Sequence, residues 1–312
     1  MIFFDLAKRQ KLLDEHYTGL ENIVIRRINS TTLAPTIKKF VRGYIKEILI
    51  GDVDELEFLN NKLKRNSEYK NDKGSAKEEL KKIFNYDLFI NKTKRYDAYD
   101  LAKGLGVRTC LYCNRLYTLT VVKKNNKYKF TRPEFDHFLD KDNNPLLALS
   151  IYNLIPSCKV CNSSLKGTKP FSIRKHLHPY KDDCMEDYWY RFLPHNVDDV
   201  LKGNSSLKVS IDTALIDQDR RQRIKRTSNV FKLNEIFSAH TEELSDLFEI
   251  RHLFSKEYFR ELKKTYEHLK LSDEDYYRII FGTYYKKEDF HRRPFSKIKY
   301  DLLKELNVIN NI

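Results

Sequence analysis

The 312-residue sequence lacks long hydrophobic runs, low-complexity tracts and internal repeats. No apolar stretch approaches the ~20 residues that a membrane-spanning helix needs. The N-terminal MIFFDLAKRQK has an apolar patch too short for a signal peptide, with its positive charges on the wrong side. Hydrophobic residues make up 41% and charged residues 33% of the chain, which is typical of a globular protein. We therefore expect a cytoplasmic protein with no membrane partner.

Cysteine is also scarce, with 5 in the chain. Four of them form two closely spaced pairs, Cys110 with Cys113 and Cys158 with Cys161, and Cys184 stands apart. In a reducing cytoplasm such pairs bind metals or do chemistry more often than they form disulfides. Cys184 is most simply a lone thiol.

Acidic residues are outnumbered by basic ones, 44 against 58, which gives a net charge of +14. A strongly basic surface favours a polyanionic partner, because lysine and arginine release counterions from nucleic acid. An alternative is codon bias, since Lys, Asn and Ile are abundant throughout the chain. Charge alone therefore supports a nucleic-acid partner only weakly.

The pattern of apolar residues predicts an α+β protein that is mostly helical, in three regions. Residues 1–104 show helical spacing, as in APTIKKFVRGYIKEILI, where Pro35 after a Ser-Thr-Thr cluster predicts a helix start. A helix is also predicted to end near Gly104 and Gly106. Residues 105–181 form a β-containing module, in which LYTLTVVKK and KYKFTRPEF predict a hairpin that turns at Asn125–Asn126. Helical spacing dominates again over 182–312.

The two cysteine pairs have the spacing of a zinc site. Each C-x2-C turn brings two thiolates to one ion, and two such turns complete a tetrahedral site with four sulfur ligands: Cys110, Cys113, Cys158 and Cys161. A four-sulfur site leaves no open position for a substrate, so its role would be structural. Chance burial of cysteines and a redox C-x-x-C are the alternatives, and two pairs around one module make coincidence a poor explanation.

Candidate catalytic residues lie between and beside the cysteine pairs. Asp136 and His137 are adjacent in PEFDHFLDK, where a histidine can act as general base and a carboxylate can bind a hard cation such as Mg2+. Such a pair is more often part of a surface loop. It gains weight from Asn153, five residues before Cys158, and from Asn162, directly after Cys161.

Three segments together, TCLYCNRLY, EFDHFL and NLIPSCKVCNSSLKG, resemble the HNH endonuclease superfamily, whose nucleases have a ββα-metal fold. The resemblance covers roughly residues 105–180. The segment YDLAKGLGVRTCLYCNRLY is also similar to HNH proteins of bacterial anti-phage defence loci, often found beside an ATPase.

The resemblance implies a role for each matched residue. His137 would be the general base that activates water, and Asn153 would hold the loop bearing His137 through its backbone. Asp136 and Asn162 would ligate one Mg2+ or Mn2+. Many relatives have histidine where this chain has Asn162, but an amide oxygen suits Mg2+ well.

Contacts to the substrate are predicted for Lys166 and Arg115. Lys166 follows Asn162 by four residues on one helix face, where a solvated lysine is the commoner finding. Two histidines, His176 and His178, are expected to pack or to lie on the surface. The basic run DRRQRIKR could present only part of its charge to DNA, and a solvated helix is about equally expected.

The sequence thus predicts a metal-dependent HNH endonuclease that hydrolyses DNA, with structural Zn2+ and catalytic Mg2+ or Mn2+. We expect a role as an effector in anti-phage defence, controlled by a partner such as an ATPase. Two alternatives stay open: a zinc-stabilised adaptor that binds nucleic acid or protein without hydrolysis, and an RNase of the same fold.

Overall fold

The computed structural model of the protein describes residues 1–91, 96–123, 128–194, 207–240, 242–247 and 256–308. The chain folds as two compact units that interleave along the sequence. The helical unit comprises Asp5–Val107 and Thr118–Arg174, and the C-terminal unit comprises Met1–Phe4, Arg108–Tyr117 and Lys175–Ile312. Each unit draws on more than one of the three predicted regions, and the boundaries of those regions stay a prediction.

Eight α-helices precede the strands in the described part of the helical unit. They are α1 (Gln10–Asn29), α2 (Pro35–Gly43), α3 (Ile45–Ile50), α4 (Val53–Arg65), α5 (Ser67–Asn71), α6 (Lys73–Ile83), α7 (Tyr86–Ile90) and α8 (Ala98–Leu105). The predicted start at Pro35 is confirmed, since proline suits the first turn of a helix. The predicted end is confirmed as well, because α8 is capped by Gly106 with φ of 65°.

Four short strands follow in the helical unit. β1 (Val121–Val122) pairs antiparallel with β2 (Lys129–Thr131), as predicted, while the predicted Asn125–Asn126 turn lies outside the described residues. β3 (Glu134–His137) pairs antiparallel with β4 (Leu154–Ser157). A π-helix, Val160–Lys166, comes directly after β4 and contains Asn162. Two strands and a helix therefore carry two of the three segments that resemble the HNH nucleases, EFDHFL and NLIPSCKVCNSSLKG.

The C-terminal unit combines helices with a β-hairpin that the sequence analysis missed. Its described α-helices with full bounds are α9 (Gln218–Val230), α10 (Leu233–Ser238), α11 (Lys256–Thr265), α12 (Asp273–Phe281) and α13 (Ser296–Glu305). Two strands precede these helices in the sequence: β5 (Tyr188–Pro194) pairs antiparallel with β6 (Leu207–Thr213). Tyr188 and Tyr190 alternate inward, a period of two that marks a half-buried strand.

The described residues confirm an α+β protein in which helices predominate and the sheets are small and antiparallel. Within the described ranges, no helix combines the length and the apolar character that crossing a membrane requires.

A buried histidine makes the stability of the helical unit depend on pH. In α1, His16 Nε2 donates to the Leu149 carbonyl at 2.8 Å, and its Nδ1 lies 3.1 Å from the Tyr96 hydroxyl. Burial lowers the pKa of His16 from 6.5 to about 4. As the pH is lowered, His16 is therefore protonated near pH 6.5 in the unfolded chain but only near pH 4 in the folded chain. The free energy of unfolding falls as the pH is lowered through this window.

We expect His16 to account for about 3 kcal/mol of the loss of stability between pH 6.5 and 4. Replacing His16 with Gln should remove one proton from the uptake that accompanies unfolding in this window. Urea denaturation at several pH values measures this uptake. An unchanged slope of stability against pH in H16Q would contradict the assignment.

Candidate metal centre and active site

The four predicted zinc ligands come together. The Sγ atoms of Cys110, Cys113, Cys158 and Cys161 all lie within 4.8 Å of one another, and all four residues are buried. In a tetrahedral site with Zn–S bonds of about 2.3 Å, neighbouring sulfurs are about 3.8 Å apart. The cluster is therefore compact enough to hold a metal ion such as zinc, and the predicted grouping of these cysteines is confirmed.

The backbone of each C-x2-C turn supports this chemistry. The Arg115 N–H donates to Cys113 Sγ at 3.4 Å, and the Cys161 N–H donates to Cys158 Sγ at 3.5 Å. Donors aimed at sulfur stabilise the thiolate form that a metal needs, as outer-shell hydrogen bonds do at metal sites. Both turns thus have the character of metal-binding knuckles.

Asn114 shapes the first knuckle and was missed by sequence reasoning. It is buried with φ of 50°, a left-handed conformation that asparagine tolerates better than most residues. Its Nδ2 donates to Thr109 Oγ1 and to the Phe290 carbonyl, both at 2.9 Å, and its Oδ1 accepts from the Lys297 N–H. An asparagine directly after a C-x2-C is the signal that could have identified it.

Two polar contacts join β3 to the π-helix. Asn162 Nδ2 donates to Glu134 Oε2 at 2.8 Å, and Lys166 Nζ donates to Asp136 Oδ1 at 2.8 Å. Glu134 and Asp136 are two apart on a strand and share a face, while Asn162 and Lys166 are four apart on the helix. The structure therefore brings these four side chains to one strand–helix seam, and Glu134 is a member that the sequence analysis missed.

The donor atoms at this seam fit a hard divalent cation. Glu134 and Asp136 offer carboxylate oxygens, and the contact of Asn162 through Nδ2 leaves its Oδ1 as a ligand atom. Mg2+ prefers oxygen and keeps several waters, so one or two carboxylates suffice. The Lys166 ammonium forms a buried ion pair with Asp136, so a positive charge already lies next to the carboxylate that would bind the metal. Lys166 is thus buried, which excludes the alternative of a solvated lysine, and its contact with substrate stays a prediction.

The side chain of His137 lies on the opposite face of β3 from that of Asp136. Its ring meets Tyr86 edge-on with centroids 4.5 Å apart, and Nε2 lies 3.0 Å from the Ala148 carbonyl oxygen. A carbonyl can only accept, so Nε2 carries the proton and Nδ1 is the basic nitrogen. Burial lowers the pKa of His137 to about 4, so the imidazole is neutral at physiological pH. A neutral ring of fixed tautomer is the form a general base requires.

Asn153 braces the loop that follows His137. Its Oδ1 accepts from the Leu139 N–H at 2.7 Å, and its Nδ2 donates to the carbonyls of Leu139 at 3.0 Å and Leu147 at 3.1 Å. Asn153 is itself buried. Each of these bonds ties the side chain to the backbone, so Asn153 sets the position of the segment just beyond β3.

Other predicted residues lie outside this seam. Arg115 is half-buried, with NH1 3.4 Å from His240 Nε2, and its contact with substrate stays a prediction. His176 and His178 are buried, and His178 Nδ1 accepts from the Tyr180 N–H at 3.2 Å. In the basic run, Arg220 and Arg223 pair with Asp187 and Asp182. The exposed members are Arg221, Lys225 and Arg226.

Comparison of the chain with models of known families, with curated proteins and with solved structures finds no match.

Proposed function

We propose that this protein is a metal-dependent endonuclease of the HNH type that hydrolyses phosphodiester bonds of DNA. The observation that carries the proposal is the antiparallel pair β3–β4 followed by a helix, with Asp136 and His137 on one strand and Asn162 on the helix. Asn153 bonded to the backbone of Leu139 completes the set, and an adaptor has no need for Asp136, His137, Asn153 and Asn162 together. The net charge of +14 suits a polyanionic substrate.

His137 is the proposed general base. The Ala148 carbonyl holds its Nε2–H and leaves Nδ1 to accept a proton from the attacking water. The neutral ring is available over the physiological range because its pKa lies at about 4. Tyr86 packs edge-on against the ring and keeps its orientation.

Asp136 and Asn162 are the proposed ligands of the catalytic cation, with Glu134 beside them. When bound, Mg2+ or Mn2+ would stabilise the charge that develops on the leaving 3′ oxygen. The residues of the seam have a role of their own: Glu134 holds the Asn162 amide, and Lys166 balances the charge of Asp136 when the cation is absent.

Zinc is the proposed occupant of the cysteine cluster, in a structural role. Four buried sulfurs with N–H donors in both knuckles are typical of closed, four-coordinate sites. Such a site would fix the turn from β4 into the π-helix, because Cys158 directly follows the strand and Cys161 lies in the helix. The role as an anti-phage effector and the controlling partner are part of the proposal through the family resemblance.

A nicking assay on supercoiled plasmid tests the proposal. We expect cleavage with Mg2+ or Mn2+ and none in EDTA, with nicks that DNA ligase can seal because they carry 5′ phosphate and 3′ hydroxyl ends. Cleavage of an RNA transcript but not of plasmid would assign the RNase alternative. Failure to cut either nucleic acid with any divalent metal would overturn the proposal.

One observation favours the adaptor as a second candidate. The Asp136–Lys166 pair is complete in itself, with both side chains no more than 4% exposed. A protein that binds nucleic acid without hydrolysis would retain such a pair as a purely structural element. The two candidates differ in whether Asp136 responds to a divalent metal.

Replacing Lys166 with Met separates these candidates. The change leaves the buried Asp136 carboxylate without a cation, and we expect the free energy of unfolding to fall by about 3–5 kcal/mol in buffer without Mg2+. Millimolar Mg2+ should recover much of this loss by binding the carboxylate in the folded state only. Urea denaturation with and without Mg2+ measures both effects.

The matched control is Lys297→Met. Lys297 pairs with Asp301 at 2.6 Å. The lysine and the aspartate are 3% and 4% exposed in this pair, as they are in the Lys166–Asp136 pair. K297M should lose stability but should not regain it with Mg2+. An equal response of both variants to Mg2+ would contradict a metal site at Asp136.

A further inference from the structure

A cleft of about 650 Å3 opens in the helical unit beside β3. Its lining includes Phe130 and Arg132 from the end of the β1–β2 hairpin, Tyr99 from α8, and Glu134 from β3. Glu134 also accepts from Asn162 and from Ser163 Oγ. The cleft therefore adjoins the seam that carries the candidate metal ligands.

The hairpin presents aromatic rings to solvent on this side. Tyr128, just before β2, and Phe130 within it flank Lys129 and are 51% and 62% exposed. Lys129 turns inward and forms a buried ion pair with Asp97. Because this pair anchors the inward face, the outward direction of the two rings is built into the fold.

Positive charge lies next to these rings. The Arg132 guanidinium is 5.6 Å from the centroid of the Tyr99 ring, and Lys123 Nζ is 5.4 Å from that of Tyr128. Arg132 NH1 donates to the Pro133 carbonyl, and within the described ranges no carboxylate lies within 4 Å of its guanidinium. An aromatic platform with adjacent cations is how proteins bind single-stranded nucleic acid, with bases stacked on the rings and phosphates at the cations.

We propose that this cleft binds an unpaired nucleotide, with its base stacked on Phe130 and its phosphate at Arg132. The proposal also identifies the substrate of the nuclease as a nucleic acid with a single-stranded segment at the cut site, and this part of it rests on the proposed function. A base inside a paired duplex has its faces covered by its neighbours and cannot stack on Phe130. Single-stranded binding itself does not depend on hydrolysis.

The test measures binding of the full-length protein to labelled 20-nucleotide oligo(dU), oligo(U) and a 20-base-pair duplex by fluorescence anisotropy. His137→Gln is present in every variant so that no strand is cut. We expect Phe130→Ala to weaken binding of a single strand about 10-fold, as befits the loss of one base stack. Phe130→Trp should preserve binding, and binding of the duplex should not change. The tighter of the two single strands identifies the sugar.

Phe58→Ala is the matched control, because Phe58 is 61% exposed on α4 and does not line the cleft. Both phenylalanines are exposed enough that alanine leaves the fold intact. Equal losses in F130A and F58A, or an equal loss for duplex in F130A, would overturn the proposal. Phe130-dependent binding by a wild-type protein that cuts nothing would sink the proposed hydrolysis and leave the cleft assignment standing. Plasmid nicking by the wild-type protein, together with unaltered single-strand binding in F130A, would overturn the cleft assignment and leave the proposed hydrolysis standing.

Discussion

His137→Gln is expected to reduce metal-dependent nicking by about 10²–10⁴-fold, the range of a lost general base. Glutamine can still donate to the Ala148 carbonyl, so the contact that Nε2 makes at 3.0 Å is preserved. What glutamine lacks is the basic nitrogen at the position of Nδ1. The initial rate of plasmid nicking, measured against EDTA blanks, gives the size of the effect.

His16→Gln controls for the loss of a buried imidazole. His16 is also a neutral histidine in the helical unit, with Nε2 bound to a backbone carbonyl and a pKa lowered to about 4 by burial. It belongs to α1 and has no role in the proposed chemistry. H16Q should therefore nick at the wild-type rate at a temperature where circular dichroism shows both variants folded. Nicking by H137Q at the rate of H16Q would remove His137 as the base.

Cys158→Ser is expected to have the largest effect on stability. Structural zinc in small domains contributes on the order of 10 kcal/mol to folding, and serine is a poor replacement for a thiolate ligand. We expect the zinc content to fall from one ion per chain towards zero and the melting temperature to fall by on the order of 10 °C. Metal analysis after gel filtration and a thermal melt give the two values.

Cys184→Ser is the matched control for this loss. Cys184 is buried like the four clustered cysteines but is not among them. Burial raises the pKa of its thiol to about 12, so it offers no thiolate near neutral pH. C184S should keep the full zinc content. Zinc loss in C184S equal to that in C158S, or zinc retained in C158S, would contradict the four-cysteine site.

Much of the candidate site could be predicted where the signal is local. A C-x2-C turn positions its own two sulfurs, and the two turns did come together in one cluster. The helix ends at Pro35 and Gly106 were likewise predictable, because each depends on the backbone preferences of one residue. The hairpin β5–β6 was missed because the helical spacing around it dominated the interpretation of 182–312.

Lys166 shows why the rest could not be predicted. Its spacing from Asn162 placed both on one helix face, yet whether that face meets solvent or a strand is not a local property. The pairing of β3 with β4 and the approach of the π-helix bury the ammonium against Asp136. The same packing gives Glu134 its contact with Asn162. No motif in the sequence singles out Glu134.

The sequence by itself determined which residue types are available for chemistry: four paired cysteines, the Asp136–His137 step and the asparagines that flank the second knuckle. Only the tertiary structure decided which way they face. Successive residues of a strand point to opposite sides, so Asp136 meets Lys166 while His137 meets Tyr86 and Ala148. Desolvation by the elements packed on that second side keeps the imidazole neutral, and this depends on residues far apart in the chain.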